Sequence, residues 1–553
     1  MEILRSVLRE LPEFQQLLAA LDSGQSPAAV SGLAAVHRAH FAACLGQESG
    51  RPVVVVCADE GEAERMARDL SFLTGGEVPV LAARSFLFHN IATVSRQWEH
   101  RRLRLLYRLT RGEVPCLVAT VEALLQRTLP PEALERACAA LAVGQTADLE
   151  ELTAHLTEAG YVRCEQVEGP GQFALRGGIL DVYSPAMEAP VRAEFFGDEV
   201  DALGIFDPVT QRRTANVEQA VLLPAAETLP HLAPGGLAGL LKQLDQRSAA
   251  AVRDGLEELA ATLRQDREAL EEGRSFPAAD RYLPLIYPEL ATAADYLPYD
   301  ACVLFSESSR VGERAKTWQW QLEEDVKTLL ERGELDGACG ALSRSYDQLC
   351  RRLEDFPFAY LDSFALSAYP AAPRCVLSLM AKQLPSFGAS LETAVQDLSH
   401  YQSAGFSVLV LVSSEQRALN LQTLLREQKV KAGVDFALKA LPRPGQILLT
   451  VGGLSGGMEY PGLKLAVITE GQSGGVRKRP RPVKKEATNR QKLKSYADLS
   501  PGDLVVHEHH GIGRFVGMVK MQVDGVQKDY IKLAYAGTDT LYLPATQLDS
   551  ISK

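Results

Sequence analysis

Residues 173–213 read FALRGGILDVYSPAMEAPVRAEFFGDEVDALGIFDPVTQRR. Short apolar runs alternate with polar residues, and Gly/Asp turns separate them, the pattern of a small antiparallel sheet. An Arg-Gly-Gly triplet at 176–178 sits inside what otherwise reads as a strand. Glycines after Arg176 permit a bulge or a close backbone approach. An RNA-binding RGG box would need repeated copies in a low-complexity context, and this is one copy in a strand. Along VRAEFF, alternate side chains share a face. Val191, Ala193 and Phe195 point one way; Arg192, Glu194 and Phe196 point the other. An aromatic on the charged face suits an interface better than a core, since arginines and aromatics are typical binding hot spots. Gly197-Asp198 then turns the chain into EVDALGIF. The residues alone also admit a blander account, in which Arg176 and Arg192 are solvated strand positions and Phe196 is core.

Working outward, 553 residues are too many for one core and predict roughly three to five domains. Residues 1–138 read as α/β. RPVVVVC (51–57) and CLVAT (116–120) are buried parallel-type strands, each followed by a helix. Residues 139–222 form the β-rich domain. Residues 223–370 are helical and charged around one buried strand, ACVLF (301–305), and continue the first domain. Residues 373–470 are α/β again. Residues 471–498 are a basic flexible linker, with nine Lys/Arg and one Glu between 477 and 494. Residues 499–553 carry short strands between Gly/Asp turns, the pattern of a small barrel. The fold class is therefore α/β plus β.

A net charge of -12 argues against a protein that coats nucleic acid over its whole surface. Nine scattered cysteines without a CxxC fit a reducing cytosol. The N-terminus lacks a signal-peptide core, and the longest apolar runs are too short to span a bilayer, so no membrane is expected. His507, His509 and His510 cluster, but more distant ligands are not clearly placed, so no metal is expected.

An ATPase needs a glycine loop, a lysine that reaches the phosphates, a Ser/Thr for magnesium and an acidic strand end. AVSGLAAVHRAH (29–40) has the right place for such a loop, yet only Gly32 survives, and Ala35 and Val36 stand where Lys and Thr would be. The strand ACVLF runs into Ser306 and Glu307, with serine where a magnesium-binding Asp would sit. Two losses at paired positions make ATP hydrolysis by this chain improbable.

The stretch 173–213 resembles the UvrA-contacting β domain shared by the excision-repair protein UvrB and the transcription-repair coupling factors. PGDLVVHEHHGIGRFVGM (501–518) and YIKLAYAGTDTLYLPATQL (530–548) resemble the RNA-polymerase-interacting, CarD-like domain of the same family. The two motifs occur in the family's order, and the α/β parts resemble UvrB with its motor residues lost. The resemblance implies a UvrB-like α/β module with an inserted β-rich domain, a further α/β domain and a C-terminal SH3-like barrel. It implies that Arg176, Arg192 and Phe196 bind UvrA. It also implies that the strand from Phe515 to Met521 meets the lobe of the RNA polymerase β subunit. For Met521 a place in the barrel core stands as an equal alternative.

In that family two ATP- and magnesium-dependent motor domains and a regulatory domain follow, so the chain resembles the N-terminal portion of a coupling factor. The regulatory domain covers the UvrA surface at rest, which predicts permanent exposure where it is lacking. No cofactor is expected on these residues. DNA would be met mainly through the motor domains, with the basic linker either touching phosphates or serving as a solvated spacer. Residues 83–106, where UvrB carries an aromatic hairpin for damaged DNA, are too short and too poor in Tyr to form one. The expected function is a bacterial cytoplasmic adaptor that brings excision repair to stalled polymerase. The rivals are an active ATP-dependent helicase or translocase, which needs a P-loop lysine, and a UvrB-type damage-loading protein.

Overall fold

The run VVVVC has no polar position because both of its faces are covered. Val53–Cys57 lies inside a seven-stranded, all-parallel sheet, between Cys302–Ser306 and Cys116–Thr120. In the computed structural model the order across this sheet is 375–378, 28–31, 358–361, 302–306, 53–57, 116–120, 80–81. The model describes residues 2–88, 96–273, 276–386, 391–470, 502–507, 511–523, 526–534, 540–544 and 551–552. They fall into two units, Met1–Ser473 and Gly474–Lys553.

Strands from both sides of the β-rich segment share the first sheet. Four of its strands, Ala28–Ser31, Val80–Leu81, Phe358–Leu361 and Cys375–Ser378, escaped the sequence reading, since none is longer than four residues. The helix after Val53–Cys57 is capped at both ends as its sequence dictates. Asp59 Oδ1 accepts from Glu62 N at 2.8 Å at the start of Glu60–Thr74, and Gly75 closes that helix at φ +78°.

The β-rich segment builds a six-stranded sheet in the order 213–216, 199–206, 191–196, 179–183, 172–176, 162–163. Phe173, Leu180, Val182, Val191, Ala193, Val200 and Leu203 form its core. The reading of a strand running through the Arg-Gly-Gly triplet is corrected here. Arg176 pairs with Ile179, so Gly177-Gly178 is a two-residue hairpin loop rather than a bulge. Gly177 takes φ +60°, which a first loop residue needs in the hairpin turn that favours glycine there. Gly178 does make a close approach: a Cβ on it would lie 3.0 Å from the Phe195 carbonyl oxygen.

A buried charge network fixes Glu227, just past the β-rich segment, in the α/β core. Glu227 accepts from Arg84, from Arg102 and from Thr128 Oγ1 (2.6 Å). Asp280 takes a two-pronged contact from Arg84 at 2.6 and 2.8 Å. Bidentate pairing of this kind fixes geometry as well as charge.

The second α/β sheet has the order 382–384, 457–460, 465–469, 407–412, 447–451, 432–434. It is parallel apart from the two pairings made by Gly457–Tyr460. It joins the first domain through Asp69, which accepts from the Ser455 amide and hydroxyl, and through His40, whose Nδ1 lies 2.9 Å from the Tyr460 hydroxyl. In the second unit the described strands form a five-stranded antiparallel sheet, ordered 540–544, 526–534, 511–523, 504–507, 551–552. The linker reading at 471–498 lies outside the described residues. Among the described residues no helix is long and apolar enough to cross a membrane.

The joint at His40 predicts a pH dependence. Burial holds the His37 and His40 imidazoles down at about 4, against 6.5 in the unfolded chain. Below pH 6.5 the unfolded chain therefore takes up protons that the folded chain refuses, and stability falls with pH down to about 4. Asp69, which burial pushes up to about 6, acts in the opposite direction below that pH. The balance is a loss of about 2 kcal/mol between pH 7 and about pH 5.5, at about 1.4 kcal/mol per unit and histidine. Urea midpoints at the two pH values measure it, and equal midpoints would contradict the neutral pair.

Candidate partner-binding surface and degenerate nucleotide site

Three neighbouring strands, 172–176, 179–183 and 191–196, put Arg176, Asp181 and Arg192 on one face. Asp181 is directly opposite Arg192 in the pairing. Its carboxylate is 0% exposed and accepts three charge-assisted bonds. Arg192 Nε donates to Oδ1 at 2.7 Å, Arg192 Nη2 to Oδ2 at 2.9 Å, and Arg176 Nη2 to Oδ2 at 2.6 Å. The Arg192 guanidinium also lies 4.7 Å from the Phe206 ring centroid. Bonding to Asp181 raises the Arg192 pKa.

Two residues on, the same face carries Glu194, paired with Arg213 at 3.3 Å, and then Phe196. The turn at Gly197-Asp198 forms as expected: Phe196 pairs with Glu199, and Gly197 takes φ +64°. The Phe196 ring is 85% exposed, so it is not core. The Arg176 side chain is half exposed and Arg192 19% exposed. An exposed aromatic beside two oriented guanidinium groups can take an apolar contact and carboxylates together. Asp181 was missed from the sequence. Its signal was there, since a lone carboxylate in the apolar strand ILDVY requires cationic partners.

The degenerate nucleotide site is closed by the chain itself. Gly32 follows the strand Ala28–Ser31 at φ +90°, and a Cβ there would lie 2.0 Å from the Leu379 carbonyl oxygen. Helix Ala35–Ser49 begins with Ala35 and Val36, and Val36 is buried in the core. From its first turn Arg38 reaches back across the loop. Its Nη1 donates to the Leu33 carbonyl at 2.8 Å and to Glu307, and its Nε to Ser306 Oγ at 2.9 Å. Ser306 Oγ in turn donates to Glu62 at 2.7 Å. Glu307 itself takes φ +60°. A side-chain plug thus stands between the two elements that would hold phosphates and magnesium, and these residues do not fit ATP. Arg38 was the second residue missed.

In the second unit Phe515 is buried, while its neighbour Val516 is exposed. Met521 pairs with Lys528 in the strand Gly511–Val523. His507 ends the strand Leu504–His507, and His509 and His510 lie outside the described residues. Among the described residues there is no cluster that could hold a metal.

Comparisons with known proteins bear on two segments of the chain and on its whole length. Residues 139–227 match the UvrB interaction domain, and residues 499–553 match the CarD-like/TRCF RID domain. The Transcription-repair-coupling factor of Bacillus subtilis (strain 168) is 30% identical over 560 residues, covering 100% of this chain and 47% of the relative. That of Staphylococcus haemolyticus (strain JCSC1435) is 28% identical over 536 residues, covering 95% of this chain and 45% of the relative. The corresponding protein of Staphylococcus aureus (strain MRSA252) is 27% identical over 563 residues, covering 100% and 47%. The chain spans about half the length of the curated relatives it matches. With both family domains matched and similarity running from end to end of this chain, the chain is similar throughout to one part of the transcription-repair-coupling factors.

Proposed function

We propose that these residues act as the adaptor part of transcription-coupled nucleotide excision repair in the bacterial cytoplasm. One surface, Arg176, Arg192 and Phe196, recruits UvrA. A second, along Phe515 to Met521, holds the β subunit of RNA polymerase, on a C-terminal sheet that closes as a small SH3-like barrel. The observation that carries the reading is the exposed Phe196 ring beside two arginines anchored on one buried carboxylate, within a UvrB interaction domain.

The polymerase half rests on the CarD-like/TRCF RID match, with strand addition as the mode of contact it would use. ATP and magnesium are assigned no role at residues 31–36 and 306–307, because Arg38 fills that space. ATP-driven translocation of DNA would then rest on other parts of a coupling factor.

The test is the affinity of this chain for purified UvrA beside its Phe196→Ala variant. A central aromatic anchor is worth roughly 2 kcal/mol or more, about a thirtyfold weakening. The circular dichroism and melting of the variant should match the parent, since the ring packs on little. An unchanged affinity would move the site elsewhere, and no UvrA binding would overturn the UvrA half of the reading. Capture of the polymerase β lobe, with and without residues 499–553, tests the other half.

A further inference from the structure

The second α/β sheet ends in an edge strand, Ala432–Val434, beside helix Glu415–Glu427. Between them lies a cleft of about 620 Å³, walled by Arg426, Lys429 and Lys431 together with Gln422, Thr423 and Gln446. No carboxylate and no aromatic ring contributes to the wall. The three cations are exposed and take no ion-pair partner among the described residues. Arg417 on the same helix is paired with Glu470, so of the helix's two cations only Arg426, at the cleft, has no ion-pair partner among the described residues.

The wall is held in place before any ligand arrives. Gln422 Nε2 donates to the Ala432 carbonyl at 2.9 Å, and Gln402 Nε2 to the Lys431 carbonyl at 3.0 Å. The helix ends tightly, with Val430 N donating to Leu425 O at 2.9 Å and Lys429 N to Arg426 O at 3.0 Å. Lys429 occupies the left-handed position of that ending, at φ +61°. Glycine or asparagine normally stands there, and a lysine carries a conformational cost that glycine avoids. One cation in the last turn is what a helix C-terminus favours. Three around a cleft without carboxylates, in a chain of net charge -12, exceed that need.

We infer that this cleft is a contact site for the phosphate backbone of duplex DNA, separate from the basic stretch 477–494. Lys and Arg with amide and hydroxyl donors are the side chains that hold phosphate oxygens. Single-strand sites add aromatic rings on which bases stack, and this wall has none. The contact is therefore sequence-independent and sensitive to salt.

The experiment uses the whole chain and a fluorescein-labelled duplex, with binding measured between about 50 and 200 mM salt. In the Arg426→Gln/Lys429→Gln/Lys431→Gln variant, the slope of log K against log salt should shrink by about 0.9 per lost contact, about 2–3 in all. Lys429→Gly is the second variant. It relieves the left-handed position, so it should melt no lower than the parent while its slope shrinks by about 1. Repeating the triple change in a chain with the nine Lys/Arg of 477–494 replaced by Gln should give the same decrement. Slopes equal to the parent's overturn the assignment. So does a decrement that vanishes with the linker charges, one confined to single strands, or no duplex binding at the lowest salt.

Discussion

Asp181→Ala should cost about 3 kcal/mol of stability and weaken UvrA binding at least about tenfold with the Phe196 ring untouched. The carboxylate is fully buried and accepts from both arginines of the surface. Removing it leaves Arg192 facing the Phe206 ring without the carboxylate it bonds. The cost sits at the lower end of the range for a broken buried pair, because the half-exposed Arg176 can swing into water.

The two arginines should then behave differently. Arg176→Ala leaves Asp181 its two bonds from Arg192, so stability should change by less than about 1 kcal/mol while UvrA affinity drops. Arg192→Ala strips two of the three bonds from a buried carboxylate and should unfold the sheet by about 3–5 kcal/mol. Denaturant midpoints of the three variants, measured beside their UvrA affinities, check this order. Equal and small effects of all three on stability would mean that Asp181 does not organise the surface.

Arg38→Ala should destabilise the first unit by about 3–5 kcal/mol and should not create ATP binding. Arg38 is almost fully buried and meets Glu307, lies within 3.8 Å of Glu62, and bonds Ser306 and the Leu33 carbonyl. Without it, two carboxylates face one another across the vacated space. Ala35 and Val36 still offer no lysine and no hydroxyl to a nucleotide. Thermal melts with and without ATP and magnesium read both outcomes. A parent chain stabilised by ATP, together with a neutral Arg38→Ala, would reverse the reading of the site as a structural plug.

Much of the geometry of the proposed UvrA surface was legible in VRAEFF. Strand alternation is set by covalent geometry, so Phe196 had to share a face with Arg192 whatever the neighbours did. The turn at Gly197-Asp198 was equally local. Gly177-Gly178 was read as a bulge or a close approach within a strand; the close approach is there at Gly178, but bulge and hairpin turn call for the same residue, and only the pairing of Arg176 with Ile179 separates them. The losses at Ala35, Val36 and Ser306 were visible as missing residue types. What fills the gap was not, since Arg38 lies 268 residues from Ser306 along the chain.

The sequence by itself determined the buried parallel strands, the alternation of the β-rich domain, the turn beside Phe196 and the absence of a phosphate-binding lysine. These depend on residue type and on neighbours within a few positions. Only the tertiary structure decided that Asp181 binds both arginines, that Arg38 fills the space between residues 31–36 and 306–307, and that Arg426, Lys429 and Lys431 share one cleft. Each of these is a question of which charges meet after distant segments pack, and burial makes such meetings obligatory without naming the partner in advance.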